Sequence, residues 1–149
     1  MCPYIGFVNL GAIIYSKTMN NGIEVTIDFA FEGDWVTSNE SRLQNTPSLI
    51  NIKAIEQTEI LVIKQQDLAI LYTKIPELQR LGRILMERSY VKIAQQSIEL
   101  QTFSAKERYE SLLASHPKIF QKVPLYHIAN YLGIAPKSLS RIRSEILHN

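Results

Sequence analysis

The stretch Val123-Pro124-Leu125-Tyr126-His127-Ile128-Ala129-Asn130-Tyr131-Leu132-Gly133-Ile134-Ala135-Pro136-Lys137-Ser138-Leu139-Ser140-Arg141-Ile142-Arg143 decides how this chain folds. Ile128, Leu132, Leu139 and Ile142 are spaced so that two short helices bring them into one small core. Ala129 is small enough to let those helices approach closely. Gly133 supplies the left-handed backbone that ends the first helix at a tight turn, and Ile134 plugs the core from that turn. Pro136 suits a first helical position, where its missing N–H costs nothing. The pattern predicts a helix-turn-helix.

The second helix, Pro136 to Leu147, presents Lys137, Ser138 and Arg141, with Ser140 beside them, to base edges or phosphates of a DNA major groove. Arg143 is placed for the DNA backbone or a solvated face. Charge agrees. Residues 1–74 hold five Lys/Arg against eight Asp/Glu, and residues 75–149 hold eleven against six. The last 32 residues carry Lys118, Lys122, Lys137, Arg141 and Arg143 against Glu145 alone. A cationic end on an acidic body fits a polyanion partner, although such a run also occurs as a plain solvated surface.

Upstream lies a long helix, Pro76 to about Gln101, with Gly82 its one weak point. Leu78, Leu81, Ile84, Leu85, Val91, Ala94 and Ile98 recur at helical spacing and make one apolar stripe. The stripe serves either packing within the chain or a seam between two parallel copies. Thr102-Phe103 is the expected hinge. Ser104 and Glu107 have the spacing of a capping box, which starts another helix near Ala105. That helix ends before His116-Pro117. A short helix is expected over Asp67–Thr73.

Residues 1–64 read as β structure. Phe7–Leu10, Ala12–Thr18, Glu24–Phe31, Ser48–Ile55 and Ile60–Lys64 are rich in strand-forming residues. Asn20-Asn21-Gly22 offers the positive φ angles of a tight hairpin. The alternation of Glu24, Thr26 and Asp28 with Val25, Ile27 and Phe29 predicts one buried and one wet face. Asp28, Glu32 and Asp34 are expected to be solvated, and Trp35 and Tyr15 to lie in the core. The predicted fold is α+β: residues 1–74 a partial β-roll sensor, 75–103 a long dimerisation helix and hinge, and 104–149 the helix-turn-helix domain.

Other chemistry is sparse. Cys2 is the single cysteine, so neither an internal disulfide nor a multi-cysteine metal site is available. His116, His127 and His148 are scattered, with His127 read as a surface or packing residue and His148 as a tail residue. Gly6 and Gly11 are isolated, with no phosphate loop around them. Neither cofactor, metal nor catalytic set is expected, and an enzyme is not. The chain is 46% hydrophobic and 20% charged, but no apolar run reaches the roughly 18 residues of a membrane span. No secretion signal opens the sequence, so a cytoplasmic protein without a membrane partner is expected.

Taken together, Phe31-Glu32-Gly33-Asp34-Trp35, the long helix after Ile75-Pro76-Glu77-Leu78, and Ile128 to Ile142 resemble the cyclic-AMP receptor protein/FNR (CRP/FNR) family of bacterial transcription regulators. The ending Tyr131-Leu132-Gly133-Ile134 through Leu139-Ser140-Arg141-Ile142 looks most like the short-tailed branch common in Bacteroidetes. The resemblance implies a cyclic-nucleotide-binding-like jelly roll, a parallel homodimer along the long helix, and a palindromic double-stranded DNA site with half-sites about one helical turn apart. RNA polymerase and an unidentified small-molecule effector are the further partners it implies. The dimer-helix candidates are Leu81, Ile84, Leu85, Val91, Ala94 and Ile98.

The sequence departs from that family in three ways. The family's sensor begins earlier, so Met1 falls inside the roll; the chain reads as N-terminally truncated, with strand edges and apolar surface left open. The charged anchors for a cyclic nucleotide fall on Thr37-Ser38 and Ser48-Leu49, and Arg42 is displaced from them. With Trp35, Thr37, Ser38, Ser48 and Leu49 as effector-pocket candidates, tight cyclic-AMP binding is not expected. The chain also stops after the recognition helix, where the family adds a β-hairpin wing with phosphate contacts. The alternative reading is a small-ligand sensor or protein-interaction module without DNA binding.

Overall fold

The computed structural model describes residues 1–147; His148, expected above as a tail residue, lies outside the described residues. Six strands form two three-stranded antiparallel sheets. β1 (Tyr4–Leu10) pairs with β4 (Trp35–Val36) and β6 (Glu59–Lys64), and β2 (Ile13–Thr18) pairs with β3 (Glu24–Ala30) and β5 (Asn51–Ala54). Between them Val8, Ile13, Ala30 and Val36 are buried together. β1 starts three residues earlier than predicted. The helix α1 (Asn39–Gln44), ended by Asn45 at a φ of +55°, was not legible in a segment without an apolar stripe.

Two local expectations about the second sheet are corrected. The loop after β2 is no two-residue hairpin turn. Met19 N–H donates to Ile23 O and Gly22 N–H to Met19 O, with Gly22 alone at positive φ (+81°). Nor does β3 alternate as read. Tyr15 faces Asp28 and the next residue, Ser16, faces Thr26, so Ile27 bulges out without a partner. One extra residue turns the following side chains over. Thr26 is therefore 4% exposed and Ile27 41%, the reverse of the expected pattern, while Phe29 stays buried at 2%.

The expected helices follow in order, with one short unexpected helix over Ile119–Lys122 between them. α2 (Gln65–Lys74) leads into α3 (Pro76–Thr102), 27 residues with Pro76 in the first turn and no residue buried. Gly82 lies under the Tyr72 hydroxyl of α2, which a Cβ there would meet at 2.5 Å. α4 (Ala105–Ser115) begins at a complete capping box: Ser104 Oγ accepts from Glu107 N–H, and the Glu107 carboxylate accepts from Ser104 N–H. α5 (Ile119–Lys122), α6 (Leu125–Tyr131) and α7 (Pro136–Leu147) complete the chain. Among the described residues no helix is long and apolar enough to cross a membrane.

Apolar side chains such as Leu61, Val62 and Ile52 are exposed on β6 and β5. The second core is the larger and joins both ends of the chain. Ile14 and Phe29 of the sheet are buried with Tyr109, Leu112, Ile119, Val123, Ile128, Leu132, Leu139 and Ile142 of the helices.

Candidate nucleic-acid interface

The α6–α7 turn is built from backbone hydrogen bonds that a glycine makes available. Gly133 N–H donates to Asn130 O and Ile134 N–H to Ala129 O, both at 3.0 Å, while Gly133 sits at a φ of +67°. This is the paired 5→2 and 6→1 closure of a helix end. The Arg108 guanidinium fixes the turn from outside, donating to Leu132 O and Phe103 O at 3.0 Å each. Ile128, Ala129, Leu132 and Leu139 are at most 1% exposed and Ile142 is 8% exposed, so α7 turns its apolar side fully inward.

The other side of α7 meets solvent. Lys137 and Ser140 are exposed, and Ser138 is half-buried. Ser140 Oγ donates to Pro136 O at 3.1 Å, one turn back. Arg141 keeps 77% of its side chain exposed, with Glu145 at 3.7 Å as a loose neighbour. Arg143 differs: it is half-buried, with its guanidinium 4.5 Å from the centre of the Phe120 ring. Lys122 is also taken out of the cationic group, pairing with Glu32 and, at 3.7 Å, with Glu56. The outward-facing cations of α7 are thus Lys137 and Arg141.

The α6–α7 pair is seated on the sheet of β2, β3 and β5, a relationship that sequence reasoning missed. The Asn130 side chain lies along the outer edge of β3, where its Oδ1 accepts from Thr26 N–H at 2.6 Å and its Nδ2 donates to Glu24 O at 3.2 Å. A free strand edge needs such partners. His127 is 5% exposed and places Nδ1 3.2 Å from Thr26 Oγ1. Tyr131 packs on Phe29, ring centres 5.1 Å apart, and accepts from Gln96 of α3. Lys92 of α3 pairs with Asp28 at 2.7 Å. Asp28 and Glu32 are therefore paired rather than simply solvated. The only sequence signal for this seat is that Asn130 and Tyr131 follow directly on the buried Ile128-Ala129.

Electrostatics at the seat follow from these contacts. The Lys122 ammonium and the Gly11 N–H hold the Glu32 carboxyl at about 2, well below its ordinary 4.5. Burial lowers His127 and His116, and it raises Tyr131.

The effector candidates border neither of the two cavities described below. Trp35 is 43% exposed and packs edge-on against Phe7, which corrects its placement in the core, whereas Tyr15 is largely covered. Thr37 Oγ1 donates to Tyr4 O, Ser38 is buried 3.0 Å from Ser48 Oγ, and Leu49 is 58% exposed. Arg42 is held by Gln65 and Asn39. Two cavities lie elsewhere. One of about 400 Å³ is bordered by Cys2, Arg42, Lys64 and Gln65; the other, of about 250 Å³, sits where Phe31 meets the α4–α5 connection. Among the described residues no group of three or more His, Cys, Asp and Glu is placed to hold a metal.

Along the α3 stripe, Leu81, Val91 and Ile98 are 42%, 61% and 61% exposed, while Ile84, Leu85 and Ala94 are half-buried. Tyr90, Ile93 and Leu100, outside the expected stripe, are exposed as well.

Two antiparallel sheets, the long α3 and the α6–α7 pair seated on the β3 edge make up a fold shared with solved structures. The chain shares its fold with FixK2 from Bradyrhizobium japonicum, with a TM-score of 0.78 at 20% identity, covering 98% of this chain and 75% of that one. A transcriptional regulator of the CRP/FNR family from Eubacterium rectale gives 0.67 at 19% identity, over 93% and 66%. A CRP-family transcriptional regulator from Thermus thermophilus gives 0.70 at 17% identity, over 98% and 76%. No family profile and no curated protein sequence matches the chain. The likeness establishes the fold, and the chain spans about two thirds to three quarters of the length of each of these regulators.

Proposed function

We propose that this protein is a sequence-specific DNA-binding transcription regulator of the CRP/FNR type that acts as a homodimer and does not respond to cyclic AMP. One observation carries the reading: α7 buries Leu139 and Ile142 and turns Lys137, Ser140 and Arg141 to solvent. A helix so mounted can enter a major groove without unfolding its own domain. Arg141 reaches a guanine edge, Lys137 and Ser138 contact bases or phosphates near the helix start, and Ser140 lies alongside. Arg143, leaning on Phe120, contacts the DNA backbone.

The 27-residue α3 supports dimerisation. At 1.5 Å per residue it is about 40 Å long, and its exposed apolar side chains are covered by pairing with the same helix of a second copy. The absence of a charged anchor at Thr37, Ser38, Ser48 and Leu49 supports the lack of a cyclic-AMP response, because a cyclic phosphate needs a cation.

Selection of bound sequences from a random duplex library tests the reading. The expected product is a palindrome with half-sites about one helical turn apart, with affinity falling log-linearly as salt rises. No duplex affinity at low salt overturns it in favour of a protein-interaction module.

A further inference from the structure

The 250 Å³ cavity lies on the seam between the two halves of the chain, away from the exposed side of α7 and from every effector candidate. One wall is the Phe31–Glu32 corner that follows β3. The other is the connection from α4 to α5, with His116, Pro117, Lys118 and Ile119. Its surface is mostly apolar. The Phe31 and His116 rings stand 5.3 Å apart at 54°, which leaves aromatic surface for a flat group to pack on.

Lys122 at the cavity pairs with Glu32 and, at 3.7 Å, with Glu56. Lys118 is exposed and makes no ion pair among the described residues, so its ammonium is open to a ligand at the rim. Nearby, His116 Nδ1 is buried without a hydrogen-bond partner, an uncommon state for a polar atom.

We propose that this seam cavity binds a small monocarboxylate with a flat apolar body, its ring against Phe31 and Pro117 and its carboxylate toward Lys118. The volume sets the size: drug-sized ligands occupy roughly 300–1,000 Å³, so the occupant is a single ring with its acid group. Both parts of the ligand are needed. The apolar wall gives an inorganic anion nothing to bury, and an uncharged ring leaves Lys118 unanswered. The proposal concerns this cavity alone and holds whether or not α7 binds DNA.

Sodium benzoate is the probe, with acetate and benzyl alcohol as its two halves. The full chain is titrated with each while the ring resonances of His116 and His127 are followed by NMR. Benzoate is expected to shift His116 saturably and leave His127, at the β3 edge, still. Acetate and benzyl alcohol are expected to bind at least about tenfold more weakly. Lys118→Glu, a change at an exposed unpaired position, is expected to weaken benzoate by about tenfold with the melting temperature unchanged. No saturable shift at His116, equal binding of all three probes, or undiminished benzoate binding by folded Lys118→Glu overturns the proposal.

Discussion

Asn130 completes the edge of β3 at Thr26, a residue 104 positions earlier in the chain, with a hydrogen bond of 2.6 Å. Its amide accepts from one backbone group of the edge and donates to another, as a neighbouring strand does. α6 is thereby registered against the edge of β3.

Asn130→Ala removes both partners at once. Thr26 is 4% exposed, so water does not readily replace the lost acceptor. Unsatisfied buried groups cost about 1–3 kcal/mol each, and an overall loss of about 2 kcal/mol in a urea titration is expected. The specific readout is the Thr26 amide, which should exchange with deuterium much faster than its neighbours in β3. Asn130→Asp keeps the acceptor and loses the donor, so the Thr26 amide should remain protected. Equal protection of Thr26 in wild type and Asn130→Ala contradicts the contact.

The features that sequence made legible are those set by neighbouring residues. The α3 span, the Ser104–Glu107 box and the positive φ at Gly133 each depend on a few consecutive positions. What escaped depends on distant chain. The bulge at Ile27 exists only relative to β2, and it alone turns Thr26 inward to meet His127 and Asn130. Lys122 looks like one more cation of a basic tail until Glu32, 90 positions earlier, is brought beside it. Trp35 reads as core by its chemistry, yet its short strand lies at the sheet's edge and leaves the ring half in solvent. Composition placed cationic side chains on α7; only packing separates Arg141, largely exposed beside Glu145, from Arg143, leaning on Phe120.

The turn between α6 and α7 should be sensitive to the loss of its glycine. At Gly133 an added Cβ meets nothing within 4 Å, so Gly133→Ala carries a backbone cost alone. A left-handed residue with a side chain costs about 1–2 kcal/mol. Chemical denaturation should show that loss, and Gly133→Asn should recover part of it, because asparagine tolerates the conformation. A neutral Gly133→Ala argues against the positive φ.

Acid should loosen the seat in two stages. Burial holds His116 and His127 below their ordinary 6.5, so charging either ring is harder in the folded chain. Their neutral forms are fully compatible with the fold above pH 6.5, and stability falls as pH drops below it. Glu32 acts lower. Its carboxyl is depressed from 4.5 to about 2, so its contribution is complete above 4.5 and disappears as pH falls through about 2. Thermal melting followed across this range should show both declines. Glu32→Gln should shrink the lower one, to which the capping carboxylate of Glu107 also contributes, and leave the upper one. Flat stability from about pH 7 to about pH 5 removes the histidine assignment.

Arg141 and Arg143 are two positions apart and should fail in different ways. Arg141 has a 77% exposed side chain and only a 3.7 Å contact with Glu145, so Arg141→Ala should leave the melting temperature unchanged. If its guanidinium bridges a guanine edge, removal costs about 1–3 kcal/mol of specific DNA affinity and relaxes the preference at one base pair. Arg143 stacks its guanidinium 4.5 Å from the centre of Phe120. Arg143→Ala should therefore lower stability by about 0.5–1 kcal/mol, and it should weaken binding about equally on every sequence. Affinities for the selected palindrome and for scrambled duplex, measured beside a melting curve for each variant, separate the two roles. An Arg141→Ala protein that keeps the wild-type site preference removes Arg141 from base recognition.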